Sequence, residues 1–318
     1  MENPFARWFL LKTVALFQCV LSLPFQEGLC FCFMSVVIYN NQFYNTREPV
    51  LPHHNRAFRY GDGIFETMRV INGQVHLFSG HMARLRYGAG FLKFKLPGEW
   101  TNDFFYDRVL SLLEANKLGK QARVRLSVFR AGDGYYTPRK NTACFLLESE
   151  RFGQVNFPLN EHGLKIDLYS GMEKGKSPFA NLKSINAQLY VMAGLHKKEH
   201  GLDDCLILNH HNRVAEAISA NLFCVRKGIL YTPPLSESCV DGVMRKHLIE
   251  LAEREHIPVV YRPIKLEDLF EAYELFLANA IMGLRWVGQF KSKTYDCQMT
   301  QHLAGVLNLE TQRTMGTD

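Results

Sequence analysis

At three places in this chain a short β-type run meets a two-residue turn and resumes as a second run. VVIY (36–39) passes through Asn40-Asn41 into QFY, ETMRV through Asn72-Gly73 into QVHLF, and NLFCV reaches ILYT across Lys227-Gly228. Asn and Gly tolerate the positive φ of the tight hairpin turns whose twist matches that of the strands they join. Each site therefore predicts an antiparallel pair. A lone hairpin buries too little to stand, so other elements must cover its apolar face. HMARLRYGAGFL (81–92) has helical spacing, and so do residues 102–117, with Phe104, Phe105, Val109, Leu112 and Leu113 on one face.

Two more strands, RVRLSVF and TACFLLES, flank the turn-rich AGDGYYTPRKN, and a helix entry is expected at Gly61-Asp62-Gly63. GQVNFPLNEHG reads as a linker. LKIDLYS then opens a second unit, followed by the loop MEKGKSPFANL and a helix from about Ile185 to His200, ended by Gly201. The strand DCLILN, the NLFCV/ILYT pair, a helix from Asp241-Gly242 to about His256 and the strands PVVYRPI and ELFLANA complete it. The expected fold is α+β and multi-domain: a small N-terminal α/β domain over 34–152, a linker over 153–159 and a larger α/β domain over 160–318. A length of 318 residues, 47% hydrophobic and 21% charged, is enough for two cores.

The net charge of +6 comes from basic residues scattered among acids, which gives no nucleic-acid stripe and suits an anionic small molecule. The eight cysteines include no CxxC pair and no Cys/His group at metal-ligand spacing, so no metal is expected. Cys144, Cys205 and Cys224 sit in apolar runs as small hydrophobes, which points to a reducing, cytoplasmic setting. Residues 1–33 form an extension of different character. Lys12 breaks its apolar stretch short of the roughly 20 residues a membrane span needs. It reads as a poor signal peptide or as a start placed too early, and the strand pattern immediately after Met34 favours Met34 as the true start.

Lys183, in NLKSIN, precedes a helix. A lysine there is solvated by default, but in an apolar site its neutral amine can form an imine with an aldehyde. Glu216, in RVAEAISANLFCV, is by default an exposed carboxylate; pyridoxal phosphate needs such a group to keep its ring nitrogen protonated. The helix start at Gly242-Val243-Met244 offers unpaired backbone N–H groups and the positive end of a dipole, which suits a phosphate. Arg84 is a further phosphate candidate.

Taken together, YGDGIFETMRV (60–70), HMARL (81–85), LKSIN (182–186), VAEAISANLF (214–223), TPP with DGVMR (232–245) and LANAIMG (277–283) make residues 36–290 resemble the fold-type IV pyridoxal-phosphate enzymes. These include branched-chain aminotransferases, D-amino acid aminotransferases and 4-amino-4-deoxychorismate lyases. The resemblance implies that Lys183 holds the cofactor as a Schiff base and shuttles a proton, and that Glu216 partners the pyridine nitrogen. It assigns the phosphate to Arg84, to the N–H groups of Val243 and Met244, and to Asn279 and Ala280. Tyr60, Phe65, Thr67, Arg69, Arg125 and Arg130 are candidates for the substrate side, with Arg125 or Arg130 on a carboxylate. A homodimer whose neighbouring subunit helps close the site is also implied. Branched-chain aminotransferases carry Tyr-x-Arg where this chain has Arg123-Val124-Arg125, and a tyrosine where it has Gln188. The implied activity is amino transfer between an amino acid, branched-chain ones among the candidates, and a 2-oxo acid. Next in order come a lyase that makes 4-aminobenzoate and pyruvate from aminodeoxychorismate, a non-catalytic pyridoxal-phosphate carrier and a scaffold without cofactor.

Overall fold

A computed structural model of the protein describes residues 35–313, so the expectation about residues 1–33 lies outside the described residues. Asn40 and Asn41 both take positive φ, 45° and 69°, between β1 (Val36–Tyr39) and β2 (Gln42–Asn45). In α1 (Arg56–Tyr60) the Asn55 side chain accepts from the N–H groups of Ala57 and Phe58. That helix stops where Gly61, at φ 62°, turns its own N–H back onto the Ala57 and Arg56 carbonyls. Gly61-Asp62-Gly63 is thus a helix exit and a strand entry, which corrects the expected helix entry.

β3 (Gly63–Ile71) and β4 (Gln74–Val75) meet through Asn72 and Gly73 at φ 50° and 86°. β4 is shorter than QVHLF because Leu77, at φ 54°, swings the chain into α2 (Phe78–Phe91). The Thr101 hydroxyl caps α3 (Asn102–Ala115) at the Phe104 N–H. β5 (Ala122–Arg130) and β6 (Ala143–Arg151) complete a six-stranded antiparallel sheet in the order β2-β1-β6-β5-β3-β4. Side chains alternate across it, so Ile64, Met68 and Val70 pack with Val109 and Leu112 of α3 while Phe65, Thr67 and Arg69 take the opposite face.

The second sheet is mixed and nine-stranded. β7 (Leu164–Lys174), β8 (Asp204–Asn209), β9 (Val214–Ala217), β10 (Asn221–Arg226), β11 (Ile229–Thr232), β12 (Val259–Tyr261), β13 (Glu274–Asn279) and β14 (Gly283–Phe290) run in the order β12-β11-β10-β13-β14-β7-β8-β9, and β15 (Lys293–Thr294) pairs with β14. α5 (Val243–Arg254) and α7 (Gln298–Arg313) cover one face, where Leu248 and Leu303 meet Phe223 and Phe276. α6 (Leu266–Glu271) sets Leu269 against Leu222 and Leu275 on the other. α4 (Gln188–Glu199) begins later than Ile185 because residues 183–185 bond to β3 instead. β7 runs past LKIDLYS into the expected loop: Tyr169 faces Ile207, yet Lys174 already faces Asn209, so β7 bulges between them and re-aims Lys174. No helix among the described residues is long and apolar enough to cross a membrane.

Candidate active site

A cavity of about 1130 Å³ lies against the Phe65/Thr67 face of the first sheet and takes its remaining walls from the second. Lys183 enters it from a segment stitched to β3. Phe65 N–H donates to the Lys183 carbonyl at 2.9 Å and Ile185 N–H to the Gly63 carbonyl at 3.0 Å. Glycine suits position 63 because a methyl group there would lie 2.8 Å from Phe129 Cβ and 3.0 Å from the Val128 carbonyl oxygen. The Lys183 amine sits 4.6 Å from the centre of the Phe65 ring. Burial, assisted by the Arg84 charge, lowers its pKa from 10.5 to about 8, although Glu66 and Glu216 pull the other way.

Glu216 is buried on β9 and only 3% exposed, so its default reading as an exposed carboxylate is corrected. Its Oε1 accepts from the Tyr190 hydroxyl at 2.7 Å and pairs with Lys174 Nζ, while its Oε2 accepts from the Val240 N–H at 2.7 Å. Burial and the Glu216 charge push the Tyr190 hydroxyl far above its ordinary range, so it stays a donor. A carboxylate has about four acceptor positions, which leaves room for one more N–H. Neither Lys174 nor Tyr190 was among the sequence candidates. Lys174 lay in a stretch read as loop, and Tyr190 stands two positions past Gln188.

The opposite end of the cavity gathers backbone N–H and guanidinium donors. α5 starts at Gly242 without a side-chain cap, which leaves the first backbone N–H groups, those of Val243 and Met244, toward the cavity they line. A side chain at 242 would meet Asn221 Oδ1 at 2.0 Å, and Asn221 braces the turn by donating to the Val240 carbonyl at 2.9 Å. Arg84 reaches in from α2 and donates to the Asp241 carbonyl at 2.9 Å. Behind it, Glu66 accepts from Arg84 Nε at 2.8 Å and from its terminal nitrogen at 2.5 Å, and meets His81 Nδ1 at 2.7 Å. Burial alone would raise the Glu66 pKa, but Arg84 and His81 outweigh it and hold the carboxyl at about 2. Glu66 and His81 were also missed. The signal was the three-residue spacing from His81 to Arg84, which puts both on the α2 face that covers β3. Asn279 and Ala280 line the adjoining wall, where Asn279 Oδ1 accepts from the Ile281 and Met282 N–H groups at 3.0 and 2.8 Å.

Of the substrate-side candidates, Tyr60, Phe65, Thr67, Arg125 and Arg130 line the cavity. Arg69 does not. It is fully buried, donates to the carbonyls of Ile281, Gln154 and Asn156, and lies against the rings of Phe152 and Phe157, which corrects its assignment to the substrate side. Arg125 has its guanidinium 3.8 Å from the Phe65 ring centre, with Nε donating to Ser127 at 3.3 Å. Arg130 shares Asp62 with Arg56, at 2.9 and 2.8 Å, and also bonds Asn141 and the Leu92 carbonyl. Asp62→Asn leaves two largely buried guanidiniums without their counter-charge. It is expected to lower unfolding free energy by about 3 kcal/mol in urea titration, and an unchanged midpoint would show that the two arginines need no anion there.

Three comparisons bear on this geometry. A family model described as amino-transferase class IV matches residues 63–290. The chain is 31% identical over 250 residues, 76% of its length and 83% of the relative's, to a protein of Methanocaldococcus jannaschii provisionally named as a branched-chain-amino-acid aminotransferase. It is 25% identical over 265 residues to the aminodeoxychorismate lyase of Vibrio harveyi, covering 81% of this chain and 96% of that one. Its fold matches the crystal structure of a branched-chain aminotransferase from Thermoproteus uzoniensis with norvaline at a TM-score of 0.80, with 21% identity and coverage of 89% and 96%.

Proposed function

Because the chain belongs to the class IV amino-transferase family, whose cofactor is pyridoxal 5'-phosphate, we propose that it moves an amino group between an amino acid and a 2-oxo acid, with Lys183 as cofactor anchor and proton carrier. The reading rests on the Lys183 amine, desolvated over Phe65 with a pKa near 8, between the Glu216 wall and the anion cup. The residues fit the cofactor's three demands: an amine for its aldehyde, a carboxylate with a free acceptor position, and a cup of N–H and guanidinium donors. When bound, the cofactor supplies that aldehyde and a ring that draws electrons from the amino-bearing carbon.

Arg84 and the Val243 and Met244 N–H groups would hold the phosphate, with Asn279 and Ala280 beside it. Glu216 would hold the ring-nitrogen proton, and Tyr190 and Lys174 keep its carboxylate from turning away. Phe65 shields the amine from water. Arg125 would orient the substrate carboxylate, so that the Lys183 amine, a base already in place, would take the proton from the substrate Cα. We infer a homodimer in the cytoplasm. Support comes from apolar Val191, Met192 and Leu195, 46–60% exposed on α4, and from the free cysteines Cys144, Cys205, Cys224, Cys239 and Cys297.

Branched-chain amino acids are the first donors to test, as the name of the M. jannaschii relative suggests. The second reading is the lyase, which releases pyruvate from aminodeoxychorismate. It is favoured by the match over 96% of the V. harveyi protein and by Arg123 in the strand facing the site. Purified protein loaded with pyridoxal 5'-phosphate and mixed with L-valine, L-glutamate or D-alanine should change absorption as the amino group moves. No change with any donor, together with 4-aminobenzoate formed from aminodeoxychorismate, overturns the transaminase reading in favour of the lyase. Covalent capture of cofactor by the apo-protein should rise with pH to half its maximum near 8 rather than 10.5, since only the neutral amine attacks. Stopped-flow absorbance measures that profile.

A further inference from the structure

Glu216 has more partners than its position requires. The Tyr190 hydroxyl donates to its Oε1 and the Val240 N–H to its Oε2, each at 2.7 Å. One donor on each oxygen already fixes the plane of a carboxylate. Lys174 Nζ adds a further contact on Oε1 and brings a full charge with it. The two side chains of that pair are only 8% and 4% exposed, so Lys174 gives up its hydration to be there. The bulge in β7 that turns it inward also sets its amine 5.5 Å from the Tyr190 ring centre.

The other groups that touch or face Glu216 carry no charge. Ile207 is its neighbour across β8, and burial keeps the Tyr190 hydroxyl protonated. Burial, then the Glu216 charge, pushes the Cys239 thiol up to about 12. The Lys183 amine feels Glu216 from over the Phe65 ring without pairing with it. Lys174 is thus the cation that shares the Glu216 charge directly. The acceptor position left open lies on Oε2. A ring nitrogen lodged there meets a carboxylate already paired with an ammonium. An unshared carboxylate favours a protonated nitrogen with its whole charge, and a carboxylate–ammonium pair favours it less.

We propose that Lys174 tunes the cofactor site: by sharing the Glu216 charge it weakens the hold on the ring-nitrogen proton and so moderates how strongly the ring draws electrons. The inference rests on the reading above, in which Glu216 faces that nitrogen. Lys174 acts through Glu216 and is a positioning residue, not a catalytic one.

The test loads the full chain with pyridoxal 5'-phosphate carrying ¹⁵N in its ring and reads the nitrogen chemical shift by NMR at neutral pH. The free cofactor, protonated and unprotonated, supplies the two reference positions. Wild type should fall between them. Lys174→Gln keeps a donor for Glu216 and removes the charge, so the ratio of protonated to unprotonated nitrogen should rise about tenfold, as loss of one neighbouring cation implies. Lys174→Arg should stay close to wild type. A lysine that merely braces Glu216 gives the opposite sign, because a loosened carboxylate holds the proton less well. A fully protonated wild type, or a ratio that is unchanged or lower in Lys174→Gln, overturns the proposal. Should that variant not retain cofactor, the wild-type position decides alone. Failure of the transaminase reading looks different, because amino transfer is then absent with every donor while the Lys174 effect on the nitrogen persists.

Discussion

Lys183→Ala protein will bind pyridoxal 5'-phosphate without a covalent bond to it, and amino transfer will fall by about 10⁴-fold. Borohydride reduction followed by intact-mass measurement reads the first effect directly: wild type gains the mass of the cofactor and the variant does not. Arg84, the start of α5 and Glu216 are untouched by the substitution, so the variant should still retain cofactor through a desalting column. Lys174 is the other lysine of the cavity wall beside Glu216, and it gives the prediction its sharpest control. Its Nζ is ion-paired with Glu216 and lies 5.5 Å from the Tyr190 ring centre, whereas the Lys183 amine lies over the Phe65 ring. It should not substitute for Lys183. A small amine added to the Lys183→Ala protein should restore part of the proton transfer, because the space over Phe65 is left open. Covalent cofactor on the variant, or activity within tenfold of wild type, would falsify the assignment of Lys183 as anchor and base.

The residues that were legible in the sequence share a property: their place depends on local structure. Asn72-Gly73 forms its turn, Gly242 opens α5, and Lys183 precedes α4, because each follows from a few neighbouring residues. What escaped depends on events further away. Lys174 faces Glu216 only because β7 bulges against β8, and a run such as MEKGK gives no hint of that irregularity. Arg69 shares the strand face of Phe65 and Thr67, so alternation alone places it with them. Two residues further along β3, however, the face has left the cavity and runs under residues 152–157, where the Gln154 and Asn156 carbonyls join that of Ile281 in claiming the guanidinium. The burial of Glu216 was equally invisible, since four residues of β9 carry no period of their own and the shielding comes from Tyr190 and the 240 turn. Glu66 looked like an ordinary strand acid until α2 was laid across it.

That buried acid is where the second large effect is expected. Glu66→Gln keeps the shape of the side chain and removes the charge that faces Arg84 and His81, at 1% exposure. Breaking one side of a buried ion pair costs about 3–5 kcal/mol, and the depression of the Glu66 pKa from 4.5 to about 2 corresponds to about 3 kcal/mol of the same interaction. The sign follows from the direction of the shift. The folded-state pKa is depressed, so the stabilisation is complete above about pH 4.5 and is lost as pH falls through about 2. Urea titrations of both proteins should therefore differ by several kcal/mol at pH 7, and the gap should close progressively between pH 4.5 and 2. Other carboxylates titrate in that window too, but they are common to both proteins and cancel in the difference. Freed from Glu66, the Arg84 guanidinium loses the anchor that aims it beside Asp241 and the start of α5. Affinity for pyridoxal 5'-phosphate should then weaken while its covalent attachment to Lys183 remains. Stability curves that stay parallel down to pH 2 would remove Glu66 from this role, and weakened cofactor binding without loss of stability would separate its aiming of Arg84 from its part in the core.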